Sequence, residues 1–151
     1  MFTNPTTPNQ ADYLLFLRGT VGIKPALLPD NADVITISFQ VAMATVNDQL
    51  GCASPLMYTY AVYNLAADRL INYAPDLPNQ SYFKDLRKDM RIDQPSVGVV
   101  SASADESTST TLLNPEQMKY FTLRDLQMLK TPYGREYLGL AQSIGTVWGL
   151  T

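Results

Sequence analysis

The sequence predicts a mainly α-helical fold, a small bundle of about five helices with one projecting β-hairpin. Three observations point there. Apolar residues recur at helical spacing through most of the chain, capping residues and prolines punctuate those runs, and one Ser/Thr/Val-rich stretch over 97–113 breaks the pattern. The 151 residues, 46% hydrophobic and 17% charged, are enough for one core, so residues 1–151 are read as a single domain with the hairpin as an arm at about 97–113.

In chain order, Tyr13, Leu14, Leu17 and Val21 form the stripe of a first short helix that runs out near Gly19 and Gly22. The stretch 34–46 fits two patterns. Ile35, Ile37, Phe39, Val41 and Met43 alternate as in a strand, whereas Ile35, Phe39, Ala42, Met43 and Val46 fit a helix. Length decides for helix, capped by Asp30 or Asn31 and stopped before Gly51. Ser54 and Pro55 are an N-cap and first-turn pair for the next helix, which is apolar nearly all round over 56–67, belongs at the centre of the fold, and ends near Tyr73 ahead of Pro75. From Ser81, Phe83, Leu86 and Met90 mark one face of a charged surface helix. Val97, Val99 and Val100 before the acidic pair Asp105–Glu106, with Thr108, Thr110 and Thr111 after it, favour an extended hairpin. Asn114 with Pro115 opens a short helical turn. Thr122 with Asp125 is a capping box, and Thr131 with Pro132 starts the last helix, striped by Tyr133, Tyr137, Leu140, Ala141 and Ile144.

Function classes are excluded as much as suggested. A net charge of −3 opposes a dedicated nucleic-acid binder. No apolar run reaches the ~20 residues of a membrane span, and the start lacks a secretory leader pattern, so a soluble, unsecreted protein is expected. Histidine is absent, which removes the usual general base and commonest metal ligand. Cys52 has no activating neighbour and is read as a buried small hydrophobe. Asp85, Asp89 and Asp93 would share a helical face, but interleaved Lys88 and Arg91 make it a solvated, ion-paired surface. No catalytic, cofactor-binding or metal site is expected. Arg87, Lys88 and Arg91 form the compact basic cluster, to which Arg124 and Lys130 could add.

Two stretches together, "GVVSASADESTSTTLL" and "FTLRDLQMLKTPYGREYLGLAQ", resemble the C-terminal half of the tailed-phage head–tail connector (adaptor) proteins. In that family a Gly-Val-Ser-rich hairpin precedes a helix and a Thr-Pro-Tyr-Gly-x-x-[Tyr/Phe]-Leu segment, here Thr131, Pro132, Tyr133, Gly134, Tyr137 and Leu138. The upstream half is similar more loosely, and Tyr63 and Asn64 stand where members often have histidine. The resemblance implies a non-enzymatic virion protein, assembled in the host cytoplasm and placed in the neck. It implies a homo-oligomeric ring of bacteriophage origin, a dodecamer following the portal, that contacts the portal protein and the next tail or neck component and passes genomic DNA without sequence-specific binding. On this reading the subunit interface includes Val99, Ser101, Ser103, Asp105, Glu106, Thr108, Thr110, Tyr133 and Tyr137, and Arg87, Lys88 and Arg91 contact the neighbouring ring. Gly134 is expected to permit close backbone approach at a helix corner. The alternative is a helix-turn-helix DNA-binding phage protein using residues 122–142, which the few basic or amide side chains of the last helix, mainly Arg135 and Gln142, disfavour.

Overall fold

The fold is organised around one long helix that lies inside the others. The computed structural model describes residues 3–94, 103–105, 108–110 and 122–143. In chain order the helices are α1 (Gln10–Phe16), continued by a π-helical turn Leu17–Val21, then α2 (Asp33–Thr45), α3 (Gln49–Ala53), α4 (Pro55–Tyr73), α5 (Tyr82–Asp89), α6 (Leu123–Met128) and α7 (Pro132–Gln142). The described residues thus hold seven α-helices, more than the five or so expected. The surplus comes chiefly from α3, where Gly51 sits inside a helix and does not end one.

Helix α4 begins where the sequence predicts. The Ser54 hydroxyl accepts from the Met57 N–H, Pro55 fills the first turn, and the helix stops at Tyr73 as Ala74 turns extended before Pro75. Residues 61–68 are all buried, so the all-round apolar character of this segment is explained by packing on every side. Helices α2 and α7 make the main layers against it, with α3 and α5 at its two ends.

The stretch is helical over Asp33–Thr45, with Val46 an extended C-cap. Ile35, Phe39, Ala42 and Val46 face the core, whereas Ile37 and Val41 of the strand-like alternation and also Met43 of the helical stripe point outward. Its N-cap is Ala32, a correction to Asp30 or Asn31, because Asp30 is engaged elsewhere. Arg18 holds it: the guanidinium pairs with Asp30 and donates to the carbonyls of Ile23 at 2.7 Å and Leu28 at 2.6 Å, tying the linker after α1 to the π-turn. Gly22 closes that turn at φ 81°, a left-handed conformation glycine adopts without cost. Tyr13, Phe16, Phe39 and Tyr63 form an aromatic cluster between α1, α2 and α4, with ring centroids 5.6–6.3 Å apart.

Ser103–Asp105 (β1) and Thr108–Thr110 (β2) pair antiparallel, Ser103 opposite Thr110 and Asp105 opposite Thr108. These three-residue strands are all that the described residues contain of the arm over 97–113. The projecting hairpin is not seen, and the helical turn expected at Asn114 and Pro115 lies outside the described residues.

At the α6–α7 corner the Thr122 hydroxyl accepts from the Asp125 N–H while the Asp125 carboxylate accepts from the Thr122 N–H at 2.8 Å, the predicted capping box. Thr131 caps α7 and Pro132 opens it. The buried members of α7 are Gly134 and Leu138, the latter absent from the expected stripe. A Cβ at position 134 would sit 2.2 Å from the Met128 carbonyl oxygen and 2.9 Å from the Asp68 carboxylate, whereas one at Gly139 would meet nothing within 4 Å. Gly134→Ala is therefore expected to cost about 3 kcal/mol in urea denaturation through overpacking. Gly139→Ala in the same helix is expected to stabilise by about 0.5–1 kcal/mol through helix propensity; equal effects of the two would refute the close approach.

Candidate interaction site at the α4–α6 surface

The chemistry-bearing side chains that the fold brings together are not those that stand out in the sequence. Asp68 is 4% exposed on the side of α4 that meets the α6–α7 corner. Its carboxylate accepts from the Thr131 hydroxyl, and the same hydroxyl oxygen accepts the Gly134 N–H at 2.8 Å. One side chain thus caps α7 and anchors it to α4. Burial pushes the Asp68 carboxyl up to about 6, although Thr131, the Arg124 guanidinium and Asn72 each pull it down.

Beside this knot lies an open depression of about 250 Å3, lined by Asp68, Arg69 and Asn72 of α4, by Ile92 and by Arg124 and Gln127 of α6, with Tyr73 at its rim. Tyr73 is 77% exposed. Two polar atoms here are buried without a hydrogen-bond partner, Nε of Arg69 and Oε1 of Gln127. Arg124 is exposed and makes no hydrogen bond or ion pair among the described residues. Lys130 sets the third wall by donating from Nζ to the carbonyls of Ile92 and Gln94.

The basic cluster is dispersed by the fold. Arg87 is a correction: its guanidinium donates to the carbonyls of Ile71 at 3.2 Å and Ala74 at 2.9 Å, capping the C-terminal end of α4, where unpaired carbonyls and the helix dipole favour a cation. Lys88 and Arg91 remain exposed. Arg91 takes φ 53°, and the Ile92 and Arg91 N–H groups close α5 on the carbonyls of Arg87 and Lys88. The helix therefore ends at Asp89, and Asp93 does not extend a face with Asp85 and Asp89. Cys52 is exposed, a correction to its expected burial, because the short α3 turns only Leu50 inward.

Of the expected interface residues, Ser103, Asp105, Thr108 and Thr110 lie on β1 and β2, and Val99, Ser101 and Glu106 lie outside the described residues. Tyr133 and Tyr137 are half-buried against the subunit's own core, with the Tyr133 ring edge-on to Phe16 at 6.4 Å. Among the described residues no group of histidine, cysteine, aspartate or glutamate side chains could hold a metal ion, and no helix is long and apolar enough to cross a membrane.

Of the residues at this surface Asp68 has a signal in the sequence: Asn64, Asp68 and Asn72 recur every four residues along a largely apolar helix, which marks a polar line on one face, whereas Arg69 and Gln127 have none. A second buried carboxylate, Asp12, closes the N-terminal turn. It accepts from the Thr3 and Asn4 N–H groups, each at 2.8 Å, and from Asn9 Nδ2 at 2.9 Å. Burial would raise its pKa, but these bonds together with the Thr3 hydroxyl outweigh burial and hold it well below the carboxylate range.

Compared with protein-family models, curated proteins and solved structures, the chain matches none of them.

The two carboxyls act on stability with opposite signs. Asp68 binds its proton more tightly folded than unfolded, so its contribution is fully present below the ordinary value of 3.8 and is lost as pH rises through about 6. Asp12 does the reverse: its contribution is present above 3.8 and falls away in more acid solution. Asp68→Asn is expected to remove the decline between about pH 4 and 6, worth about 2–3 kcal/mol across the window. Thermal melts from pH 3 to 8 check this, and an unchanged slope in the variant would contradict the burial of an ionisable Asp68.

Proposed function

We propose that the chain is a structural subunit of a tailed-phage neck, a head–tail connector whose copies form a ring beneath the portal and continue the DNA channel toward the tail. The observation that carries the reading is the corner built by Thr131, Pro132 and Gly134. The motif on which the resemblance rests is also the segment that locks α7 to α4 through Asp68 with no room for a side chain at Gly134. A motif that fixes the angle between two helices suits a part repeated around a ring, where small angular errors accumulate from copy to copy.

Surface features agree with contact between proteins. Ile37 is 58% exposed and Val41 38% on the outward face of α2, and Leu123 is 77% exposed on α6. The projecting arm over 97–113 belongs to this proposal: a Ser- and Thr-rich composition offers little apolar area to set against ordering costs of about 1–2 kcal/mol per residue, and the reading therefore assigns the arm to contacts between copies. Lys88 and Arg91, left free when Arg87 caps α4, supply the contact with the portal or the next neck component. The DNA-binding alternative has little to work with, since the exposed residues of α7 include Arg135 beside Glu136 and leave no net charge there to meet phosphate.

Deleting residues 101–110 is expected to leave the cooperative melt of the subunit intact while abolishing rings in negative-stain electron microscopy of the chain with and without a portal. A chain that remains monomeric under both conditions before any deletion would refute the connector reading. A duplex-DNA gel shift that weakens steeply with salt would replace it with the DNA-binding one.

A further inference from the structure

The α6–α7 corner has ties of its own and few to the rest of the molecule. Inside it, Gly134 lies against the Met128 carbonyl, Arg135 donates to the Leu129 carbonyl at 3.1 Å, and the Thr131 hydroxyl accepts the Gly134 N–H at 2.8 Å. The side chains it buries are Met128, Thr131 and Leu138, with Tyr133 and Tyr137 half-buried. Two polar contacts reach the body: the Thr131 hydroxyl donates to Asp68 of α4, and Lys130 Nζ donates to the carbonyls of Ile92 and Gln94. By contrast, α1, α2 and α4 share the ring cluster of Tyr13, Phe16, Phe39 and Tyr63. An element held by few buried contacts opens at lower free energy than the core, and does so as a contiguous unit.

The contact that joins corner to body is also one that a proton controls. Asp68 is 4% exposed, so closing the corner takes its carboxyl out of water. Facing it are Thr131 of α7, Arg124 of α6 and Asn72 on its own helix, while the Arg69 guanidinium turns away to donate to the Thr45 hydroxyl of α2 at 3.4 Å. Lys130 is committed to carbonyls, Asp125 of α6 is engaged by Thr122 in the capping box, and burial pushes the Tyr137 phenol of α7 up, which keeps it neutral in mild acid. The open depression lined by Asp68, Arg124 and Ile92 lies beside the contact, so water reaches the carboxylate once the corner lifts. The geometry points to a latch: the α6–α7 corner lifts from α4 as one unit while α1 to α5 stay folded, and loss of the Asp68 proton favours the lifted state. Burial raises the Asp68 carboxyl to about 6 in the closed corner, against 3.8 when hydrated, so the closed state is fully favoured below 3.8 and loses that advantage as pH rises through about 6.

Native-state hydrogen exchange on the full chain at low urea tests the latch. Amides of α7 are expected to show protection factors about tenfold or more below those of α2, with a shallower urea dependence, because lifting exposes less surface than unfolding. Between pH 4 and 7 the α7 protection factors are expected to fall by about tenfold or more, each unit of pKa difference being about a factor of ten. Asp68→Asn is expected to flatten that fall. Arg124→Met, at an exposed position, is expected to move its midpoint to higher pH by removing a charge that favours the carboxylate. Equal protection and equal urea dependence of α7 and α2 mean that the corner opens only with the whole fold, and overturn the latch. A pH-independent α7, or a fall that survives Asp68→Asn, overturns the control by Asp68. Should Asp68→Asn not fold, Arg124→Met decides, and an unchanged midpoint there overturns the same control.

Discussion

The arrangement of helices depends on a buried contact between Asp68 and Thr131, residues 63 apart in the chain. Thr131 has no exposure, and its hydroxyl serves two partners at once, donating to the carboxylate and accepting from Gly134. Removing either partner would leave a buried polar group unsatisfied, a cost of about 1–3 kcal/mol. The geometry then propagates. With Thr131 fixed, Pro132 sets the start of α7, Gly134 lies flat against the Met128 carbonyl, and Leu138 reaches the core one turn later.

Charged groups elsewhere are used the same way, as staples between backbone segments. Arg18 holds the linker after α1, Arg87 caps α4, Asp76 accepts from the Phe83 N–H at 2.7 Å and the Lys84 N–H at 3.0 Å to start α5, and Lys130 holds the segment after α5. Each satisfies main-chain groups that helix ends and loops leave unpaired. The economy has a functional side. With Arg87 and Lys130 committed internally, the exposed cations among the described residues include Lys84, Lys88, Arg91 and Arg124, and Arg124 lines the depression beside Asp68.

The depression and the knot share Asp68, so one carboxylate both anchors α7 and lines the surface between α4 and α6. Burial raises the Asp68 pKa to about 6 while the Thr131 hydroxyl and the Arg124 guanidinium pull it back, so the carboxylate is compensated within the fold. The outward surface of α2 presents Ile37 and Val41 together with the exposed Gln40.

Local chemistry was legible in the residues themselves. Ser54–Pro55, Thr122 with Asp125, and Thr131–Pro132 start helices because a side-chain oxygen and a preset φ act within four residues, and the apolar run 56–67 could be stable only when surrounded. The helical state of 34–46 followed from its length, whereas the close approach at Gly134 was expected from the resemblance and from no local rule. Tertiary structure decided the rest. That Asp68 meets Thr131, that Arg87 and Lys130 turn inward while Lys88 does not, that Cys52 lies outside, and that Arg69, Arg124 and Gln127 line one depression all depend on how α4, α5 and α6 cross. Periodicity assigns a side chain to a face of its own helix; which partner that face meets is set by long-range packing, which spacing along the chain does not encode.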